Sequence, residues 1–469
     1  METLQFKPIT VKDGARLRRY YKDCDYILCE YSAGAKLMWG RTLNTVWTEA
    51  AGCLIMRHSF DGELVFDYPV PGPDGDVDAA LCAVETWCID QGMPPVFSVV
   101  PEAHVSHLLH RYTYAQVSSV RTWRDYVYAA EDLRSFAGRK YSGQRNHINK
   151  FRAACPGAEF KVLTKEDRPL VDAFWAEYDQ VFTKSSKMAV RELNYAKKML
   201  HQAGSPWFRA GGMLWNGRLI SLCLTEKCGD TLIIHIEKAL YGYEGVYPAT
   251  VQAEAQAFGA DVQWINREDD AADPGLRTSK LQYLPARIEP KYRLRLQNDL
   301  SVHVSEIPTP TTERLTLNAF TEADAEEYHA LCTDRDRNRW WGYDDVAAVG
   351  DKVTCHQVFL HIAQEDFKKR QAINFAVRLG DRLIGEAVLY RFDYRGGAEL
   401  GCRIKPEFAG HGYGTEAFAA VANWALYRVH MTRVVAKCYK ENEASYKMLS
   451  SCMRKNGEDD TYYYFQKLV

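Results

Sequence analysis

The sequence predicts a mixed α/β protein, with α+β mixed sheets, made of three modules that share one order of elements. Residues 373–429 read as a hairpin, a strand, a glycine loop and an alanine-rich helix, and residues 211–259 repeat this order. A fainter copy lies at 53–92. The repetition predicts one fold used three times: a tandem pair at 1–126 and 127–300, a linker at 301–312, and a complete module at 313–469.

Composition places the chain among ordinary globular proteins. Its 469 residues are 46% apolar and 26% charged, which allows two to four domains. The net charge of −2 gives no global reason to expect a nucleic acid or an anionic membrane as partner. No apolar run is long enough for a membrane span, and the opening residues lack the apolar h-region expected of a signal peptide. Thirteen cysteines without a C-x-x-C motif indicate reduced thiols in a cytoplasmic protein, with no metal site.

The elements of the last module can be followed from the linker onward. The segment SEIPTPTTERL (305–315) is rich in proline and threonine and has no apolar periodicity. ERLTLNAF alternates as a strand, and Thr321 then opens a capping box for a helix that runs to about Cys332. The later elements are two strands within 373–392, a strand at 397–406, a loop, a helix at 415–429, a strand at 433–439, a helix at 442–452 and a strand at 461–469.

Three glycines alternate in the loop FAGHGYGTEA (408–417), at Gly410, Gly412 and Gly414. The motif is neither the dinucleotide-binding G-x-G-x-x-G nor a P-loop, because no G-K-[ST] follows. Alternate glycines allow consecutive backbone N–H groups to point into one concavity, and the helix that follows adds its positive end. His411 and Thr415 offer further donors. The loop suits a pyrophosphate, although a glycine-rich turn without a ligand has the same local pattern.

The segment IKPEFAGHGYGTEAFAAVANWAL (404–426) resembles the acetyl-CoA loop of the GNAT acyltransferase superfamily, and most of all its branch of ribosomal-protein N-terminal acetyltransferases. The resemblance implies that acetyl-CoA, or another acyl-CoA, binds in this module. It assigns the pyrophosphate to the 410–415 loop, and the pantetheine to the 400–404 strand and the N-x-x-S of 442–445. The implied cofactor-binding residues are Leu400, Cys402, Ile404, Gly410, His411, Gly412, Tyr413, Gly414, Thr415 and Asn442.

The chain departs from the family pattern at three places. Ala409 stands where relatives often have glutamine or arginine, so a side-chain contact to the cofactor is missing. Cys452 and Met453 replace a frequent Gly-Phe. Leu449 occupies the position where many relatives have a tyrosine general acid, which leaves the acid to be found elsewhere.

Acyl transfer from a thioester to an amine needs a base for the amine, a stabilised oxyanion and a proton for the leaving thiolate. Glu386 alternates with apolar neighbours on one strand, and Glu399 opens the strand that would meet the cofactor. We expect one of these carboxylates to be the base or to hold a base water. Ser445 is the first candidate for the acid and Tyr446 the second. Each of these residues could instead have only a structural role.

The segment RNRWWGYDD (337–345) lies where the family places an acceptor-facing loop. Its aromatic residues Trp340, Trp341 and Tyr343, with two following aspartates, would suit a cationic amine. The alternative is that both tryptophans belong to the core.

Two features of residues 1–300 stand apart from the repeats. Residues 133–158 hold six lysines or arginines and no acid, and REDD…GLRTSKLQYLP (267–285) joins an acidic cluster to basic residues. Together they resemble the tandem GNAT-like C-terminal domain of phosphatidylglycerol lysyltransferases over roughly residues 1–296. The resemblance implies an ancestry in aminoacyl transfer from charged tRNA. Candidate contacts to tRNA or another substrate are Arg145, His147, Asn149, Lys150, Arg277 and Lys280.

Neither front module is expected to bind acetyl-CoA as the last one does. The glycine loop of the middle module, 241–248, has Glu244 inside it and lacks the third glycine, and a carboxylate repels a pyrophosphate. We therefore expect an acetyl-CoA-dependent N-acyltransferase that acts on a primary amine of a small molecule, peptide or protein terminus, fused to a tandem module. Two alternatives remain: the tandem module transfers an aminoacyl group from charged tRNA, or it is a noncatalytic substrate-binding domain.

Overall fold

The computed structural model describes residues 4–181, 187–200, 208–342 and 344–469. The chain divides into two compact units. The first comprises Met1–Val84, Val96–Ser106 and Val117–Leu294, and the second comprises Glu85–Pro95, His107–Gln116 and Arg295–Val469. The strands of the described residues form three sheets, of eight, eight and seven strands.

The first two sheets are built alike. The first sheet has the order Lys7–Pro8, Val46–Ala50, Cys53–Phe60, Glu63–Phe66, Val96–Pro101, Lys291–Gln297 and Tyr114–Ser119, with Val70–Pro71 paired to Cys53–Phe60. The second sheet has the order Arg218–Leu219, Phe208–Trp215, Ser221–Cys228, Thr231–Ala239, Trp264–Asn266, Asp125–Ala129 and Arg287–Glu289, with Glu159–Leu163 paired to Phe208–Trp215.

The third sheet lies in the second unit. Its order is Leu315–Asn318, Ala372–Leu379, Arg382–Tyr390, Gly397–Ile404, Arg433–Tyr439, Tyr462–Leu468 and Arg454–Glu458. The first four strands form an antiparallel meander, and the fifth pairs in parallel with the fourth.

Each sheet contains a parallel pair, and a helix makes each crossover. The helix Val77–Asp90 connects Glu63–Phe66 to its parallel neighbour in the first sheet. Val246–Phe258 does the same in the second sheet, and Tyr413–Tyr427 in the third. Parallel strands need such a crossover, so the same order of elements gives the same local arrangement three times. The predicted α/β class with mixed sheets and three similar modules is confirmed.

The other helices cover the sheets or join strands. Those in the first three hundred residues are Gly14–Tyr21, Ala33–Trp39, Glu102–Arg111, Ala130–Ser135, Ser142–Ala154, Arg168–Val181, Lys187–Leu200, Pro274–Gln282 and Asp299–His303. Those that follow are Ala325–Thr333, Arg335–Asn338, Asp345–Val349, Val358–Lys368 and Glu443–Cys452. None of the described helices combines the length and the apolar composition that a membrane crossing requires.

The predicted elements of the last module agree with the structure to within about two residues, except that the helix predicted from Thr321 begins at Ala325, after the 3-10 turn Glu322–Asp324. The capping box of Thr321 is present and precedes the helix Ala325–Thr333. The strand Arg454–Glu458 and the helices between 345 and 368 were not predicted. One strand, Lys291–Gln297, lies within the predicted second module in sequence yet joins the first sheet. The local pattern of a strand cannot say which sheet the strand enters.

Core packing fixes the crossover helix of the third sheet. Its buried face includes Phe418, Val421 and Ala425, which pack with Phe375 and Leu389 of the sheet. Burying each large apolar side chain contributes roughly 1.5–3 kcal/mol. The alanines of this helix let it lie close to the sheet. Its N-terminus is thereby held at the end of the strand Gly397–Ile404, where the glycine loop connects the two.

Candidate active site

Two neighbouring strands of the third sheet separate part of the way along their length. Gly397–Ile404 pairs with Arg433–Tyr439 only at its first three residues, 397–399. On its other side it stays paired through Ile404. The edge of residues 400–404 that faces the parallel neighbour is therefore outside the ladder, and its backbone groups require other partners. We call the opening between 400–404 and 436–439 the splay.

The glycine loop has the backbone conformation that its glycines make possible. Gly410 and Gly412 have φ of +79° and +81°, a region that residues with a Cβ rarely adopt. Gly412 is the N-cap of the helix Tyr413–Tyr427, so the unpaired N–H groups of the first turn and the positive end of the helix face the loop. A Cβ on Gly410 would meet no atom within 4 Å, which shows open space beside the loop.

The corresponding loop of the second sheet is filled by the protein itself. Gly245 is the left-handed N-cap of Val246–Phe258, as Gly412 is of its own helix. A Cβ on Gly245 would lie 2.1 Å from the carbonyl oxygen of His147. The carboxylate of Glu244 also accepts a hydrogen bond from Lys150 at 2.8 Å. The helix N-terminus that could receive an anion is covered here, whereas in the last module the space beside Gly410 is open.

A pocket in the splay brings together several of the predicted site residues. Its walls come from the acceptor-facing segment, both separated strands and the helix Glu443–Cys452. Of the predicted residues, the lining includes Trp340, Trp341, Glu399, Leu400, Cys402 and Ser445. Leu449, which stands at the position of the family's tyrosine, also lines the pocket. Residues that the sequence did not single out complete it: Gly342, Tyr390, Gly401, Phe418, Ala436, Lys437, Cys438, Tyr439, Met448 and Tyr462.

Glu399 is the carboxylate of this pocket. Its side chain is 14% exposed, and Oε1 accepts a hydrogen bond of 2.8 Å from the hydroxyl of Tyr390. Burial, and next the nearby carboxylate, raise the pKa of Tyr390, so the phenol remains a donor. Lys437 and Arg391 lie 4.0 and 3.9 Å from its two oxygens. Glu399 is thus oriented by one hydrogen bond but retains acceptor capacity toward the pocket.

Glu386 is in a different environment from Glu399. It is 1% exposed, and it accepts hydrogen bonds from the Tyr328 hydroxyl at 2.6 Å and from Asn374 Nδ2 at 2.7 Å. Its Oε2 also binds Arg403, with Nε at 2.9 Å and Nη2 at 2.8 Å. Both carboxylate oxygens are engaged by buried partners, and Glu386 does not line the pocket of the splay.

Arg403 connects the strand of the splay to the acceptor-facing segment. Its Nη1 donates to Asn338 Oδ1 at 2.7 Å and to Asp345 Oδ2 at 2.9 Å, one residue at each end of that segment. The guanidinium also lies 4.5 Å from the ring centre of Trp341. Burial opposes its charge, but the surrounding acidic groups, Glu386 first, hold the pKa of Arg403 well above its ordinary value.

The indole of Trp341 packs against the strand Gly397–Ile404 at Gly401, where the strand has no side chain. A Cβ on Gly401 would lie 3.0 Å from Cη2 of the indole, closer than ordinary contact. Trp340 packs near Tyr439, with ring centres 5.7 Å apart, and Tyr439 packs on Tyr462 at 4.6 Å. The tryptophans are therefore partly exposed pocket walls. Tyr343 lies outside the residues that the structure describes.

The predicted acid candidates occupy different positions. Ser445 lines the pocket, and its backbone N–H donates to Asn442 Oδ1 at 3.1 Å, so Asn442 is the N-cap of the helix Glu443–Cys452. Tyr446 does not line the pocket. It packs instead against Tyr463 and Phe465, with ring centres 5.0 and 5.8 Å away. Cys402 lines the pocket, and burial raises the pKa of its thiol to about 12.

The first unit contains a buried cation surrounded by acids. Lys291 Nζ lies 2.6 Å from Glu30, 2.8 Å from Asp125 and 3.5 Å from the Cys29 thiol. Glu30, Asp125 and Cys29 have the spacing of metal ligands. The ammonium group of Lys291 already provides the positive charge at this position.

The basic residues predicted to bind substrate in the first unit mostly bond within the protein. Arg145 Nη1 donates to the carbonyl oxygens of Phe136 and Gly138, and Arg277 forms a two-point pair with Asp270. Lys280 donates to the carbonyl of Glu268 at 3.2 Å and to those of its two neighbours. His147 and Asn149 are exposed on the helix Ser142–Ala154.

Comparisons with known proteins agree with this architecture. Residues 314–452 match the model of the acetyltransferase (GNAT) domain. YoaA of Bacillus subtilis (strain 168), an uncharacterized N-acetyltransferase, is 26% identical over 145 residues, which is 30% of this chain and 80% of the relative. YnaD of the same organism, also an uncharacterized N-acetyltransferase, is 31% identical over 93 residues, 19% of this chain and 55% of the relative. The domain match and these relatives show an acyltransferase, and they support acyl transfer to amines.

The longer match covers most of the first unit. Residues 27–295, more than half of the chain, match the model described as phosphatidylglycerol lysyltransferase, C-terminal, and the chain belongs to this family. A conserved protein of unknown function from Bacteroides thetaiotaomicron VPI-5482 has a similar fold. It is 24% identical with a TM-score of 0.56, and the match covers 63% of this chain and 100% of that one. Both resemblances found in the sequence are confirmed.

Proposed function

We propose that the 313–469 module transfers an acetyl group from acetyl-CoA to a primary amine of a small molecule, peptide or protein terminus. The observation that carries this proposal is the splay, which opens beside an uncovered helix N-terminus and contains one oriented carboxylate. Backbone groups of 400–404 would bind the pantetheine as an added strand does. The N–H groups of 410–415 would bind the pyrophosphate.

Acetyl-CoA supplies an activated acyl group, and the protein supplies proton transfer and position. In our proposal Glu399, oriented by Tyr390, takes a proton from the substrate ammonium, directly or through a water, and the neutral amine then attacks the thioester carbonyl. The C–N bond forms and the C–S bond breaks. The hydroxyl of Ser445 donates a proton to the departing thiolate and regains one from the amine nitrogen, which loses its second proton as the amide forms. Trp340 and Trp341 form the wall against which the amine is held.

Calorimetric titration of the full-length protein with acetyl-CoA tests this proposal. We expect saturable binding by the wild type and its loss in Gly412→Val, because valine strongly disfavours a φ of +81°. Gly380→Val is the matched control, since Gly380 also has positive φ, +59°, in the hairpin turn before Arg382. Wild-type affinity in Gly412→Val would contradict the loop assignment. Titration with longer acyl-CoA molecules compares donors, and a screen of primary amines then compares acceptors.

For the first unit, we propose a noncatalytic binding module rather than aminoacyl transfer from tRNA. Lys291 neutralises its buried acidic cluster, and Arg145 and Arg277 are bonded inside the fold. Filter binding of tRNA at 50 and 200 mM salt tests this, because phosphate contacts are strongly salt-dependent. Tight, salt-sensitive binding would favour the aminoacyl-transfer alternative.

A further inference from the structure

The side chain of Arg314 contacts the glycine loop although it precedes that loop by about one hundred residues. Its Nη1 donates to the carbonyl oxygen of His411 at 3.1 Å, and its guanidinium lies 4.6 Å from the ring centre of Tyr413. A Cβ on Gly412 would lie 3.5 Å from its Nη2. One arginine therefore contacts three consecutive residues of the loop.

Glu416 fixes the guanidinium in this position. Its Oε2 accepts from Arg314 Nε at 2.7 Å and from Nη2 at 2.6 Å, and its Oε1 accepts from the backbone N–H of Arg314 at 3.0 Å. The hydroxyl of Thr312 bonds to the same oxygen. A two-point arginine–carboxylate pair is rigid as well as strong. Thr312 and Arg314, which precede the first strand of the third sheet, are thus both bonded to Glu416 in the first turn of the helix Tyr413–Tyr427.

The bond to His411 determines where the next N–H points. In a planar trans peptide the carbonyl and the N–H of the following residue point in opposite directions. Because Arg314 binds the carbonyl oxygen of His411, the N–H of Gly412 is directed away from Arg314. An anion-binding loop requires this arrangement, in which carbonyl oxygens are occupied elsewhere and N–H groups are free for the ligand.

Arg314 also neutralises a carboxylate beside the loop. Glu416 lies in the first turn of the helix, and an unpaired carboxylate there would repel a bound phosphate. Burial opposes ionisation of Glu416, but the hydrogen bonds from Thr312 and Arg314 hold its pKa below the ordinary value. The carboxylate is therefore ionised at neutral pH, and the balancing charge comes from Arg314.

We infer that Arg314 is a positioning residue of the pyrophosphate site, where it orients the Gly412 N–H and cancels the charge of Glu416. This inference rests on the proposed binding of acetyl-CoA by the same loop.

Calorimetric titration of Arg314→Met in the full-length protein tests the inference, with acetyl-CoA and acetyl-dephospho-CoA as probes. We expect the Kd to rise at least tenfold for both probes, because both contain the pyrophosphate. Arg314→Lys should bind more tightly than Arg314→Met but less tightly than the wild type, since lysine keeps the charge without the two-point pair. In Arg314→Met/Glu416→Gln, part of the affinity should return because the uncompensated carboxylate is gone.

Lys368→Met is the matched control, because Lys368 is an exposed cation paired at 2.8 Å with Glu365, on a helix away from the loop. Its affinity for both probes should equal that of the wild type. An unchanged Kd in Arg314→Met, a loss seen only with the probe that has the 3′-phosphate, or no recovery in the double variant would each overturn the inference. Absence of binding by the wild type would instead refute the proposed function itself.

Discussion

Replacing Glu386 by glutamine tests whether this buried carboxylate holds the fold of the second unit or takes part in acyl transfer. Glu386 is almost fully buried and accepts hydrogen bonds from Tyr328, Asn374 and two nitrogens of Arg403. Glutamine has the same shape, but it offers a single oxygen and brings an NH₂ group toward these donors. We therefore expect Glu386→Gln to act mainly on stability.

The expected magnitude follows from the partners that remain. Breaking a buried ion pair costs about 3–5 kcal/mol because the other charge is left without compensation. Arg403 keeps Asp345 at 2.9 Å, so the lower end, about 3 kcal/mol, is expected. For a domain of this size 1 kcal/mol corresponds to roughly 2–4 °C in Tm. The transition of the second unit should therefore fall by about 6–12 °C.

Glu399→Gln is the matched variant. It removes the charge of a carboxylate that lines the pocket and has one hydrogen bond, from Tyr390. The glutamine oxygen can still accept from Tyr390, and even complete loss of that bond would cost only about 1 kcal/mol. Acyl transfer should nevertheless fall roughly 10²–10⁴-fold, the usual contribution of a general base. Differential scanning calorimetry of the full chain gives the Tm of each variant. The rate of acyl transfer is measured as release of free CoA, with an amine found in the acceptor screen, at a temperature below the unfolding transitions of both variants.

An exchange of behaviour between the two variants would reverse the two assignments. A Glu386→Gln protein with a Tm within about 2 °C of the wild type and no transfer activity would make Glu386 the base. A Glu399→Gln protein with normal activity would remove Glu399 from the mechanism.

Two further predictions concern packing and pH. Gly401→Ala should destabilise the second unit by about 1 kcal/mol, because the added Cβ would lie 3.0 Å from the indole of Trp341. In a Trp341→Ala background the same substitution should cost almost nothing, and calorimetry of the four proteins measures the difference. Equal costs in the two backgrounds would show that the two residues are not in contact. His235 is fully buried, which disfavours its charge, yet hydrogen bonds with Glu226 and Glu268 raise its pKa to about 9. The stabilisation that protonated His235 provides, about 3 kcal/mol, is complete below pH 6.5 and is lost as the pH rises through 9. In urea unfolding of the first unit, the free energy of unfolding should therefore fall less between pH 6.5 and 9.5 in His235→Gln than in the wild type.

The features of the site that the sequence predicted best are local ones. The loop at 408–414 and the helix after it depend on glycines and an apolar period that fall within about twenty residues. Gly410 and Gly412 do have positive φ, and Asn442 does begin the helix Glu443–Cys452. Such features require no knowledge of the neighbouring strands.

The sequence predicted the roles of side chains less well, because these roles depend on the register between strands. Alternation with Ile384 and Val388 suggested an apolar setting for Glu386, and the residue is indeed buried. Only the pairing of the two strands places Arg403 directly opposite it. A shift of one residue would have turned that arginine to the other face of the sheet.

The sequence by itself determined the class of fold, the order of elements in each module and the position of the glycine loop, because these follow from short-range periodicity and backbone preferences. The tertiary structure decided which residues meet. Tyr390, Tyr439 and Tyr462 reach one pocket from three strands, and Arg314 meets Glu416 across 102 positions. Contacts of this kind arise only after the chain has closed long loops and buried its core, and no local pattern records them.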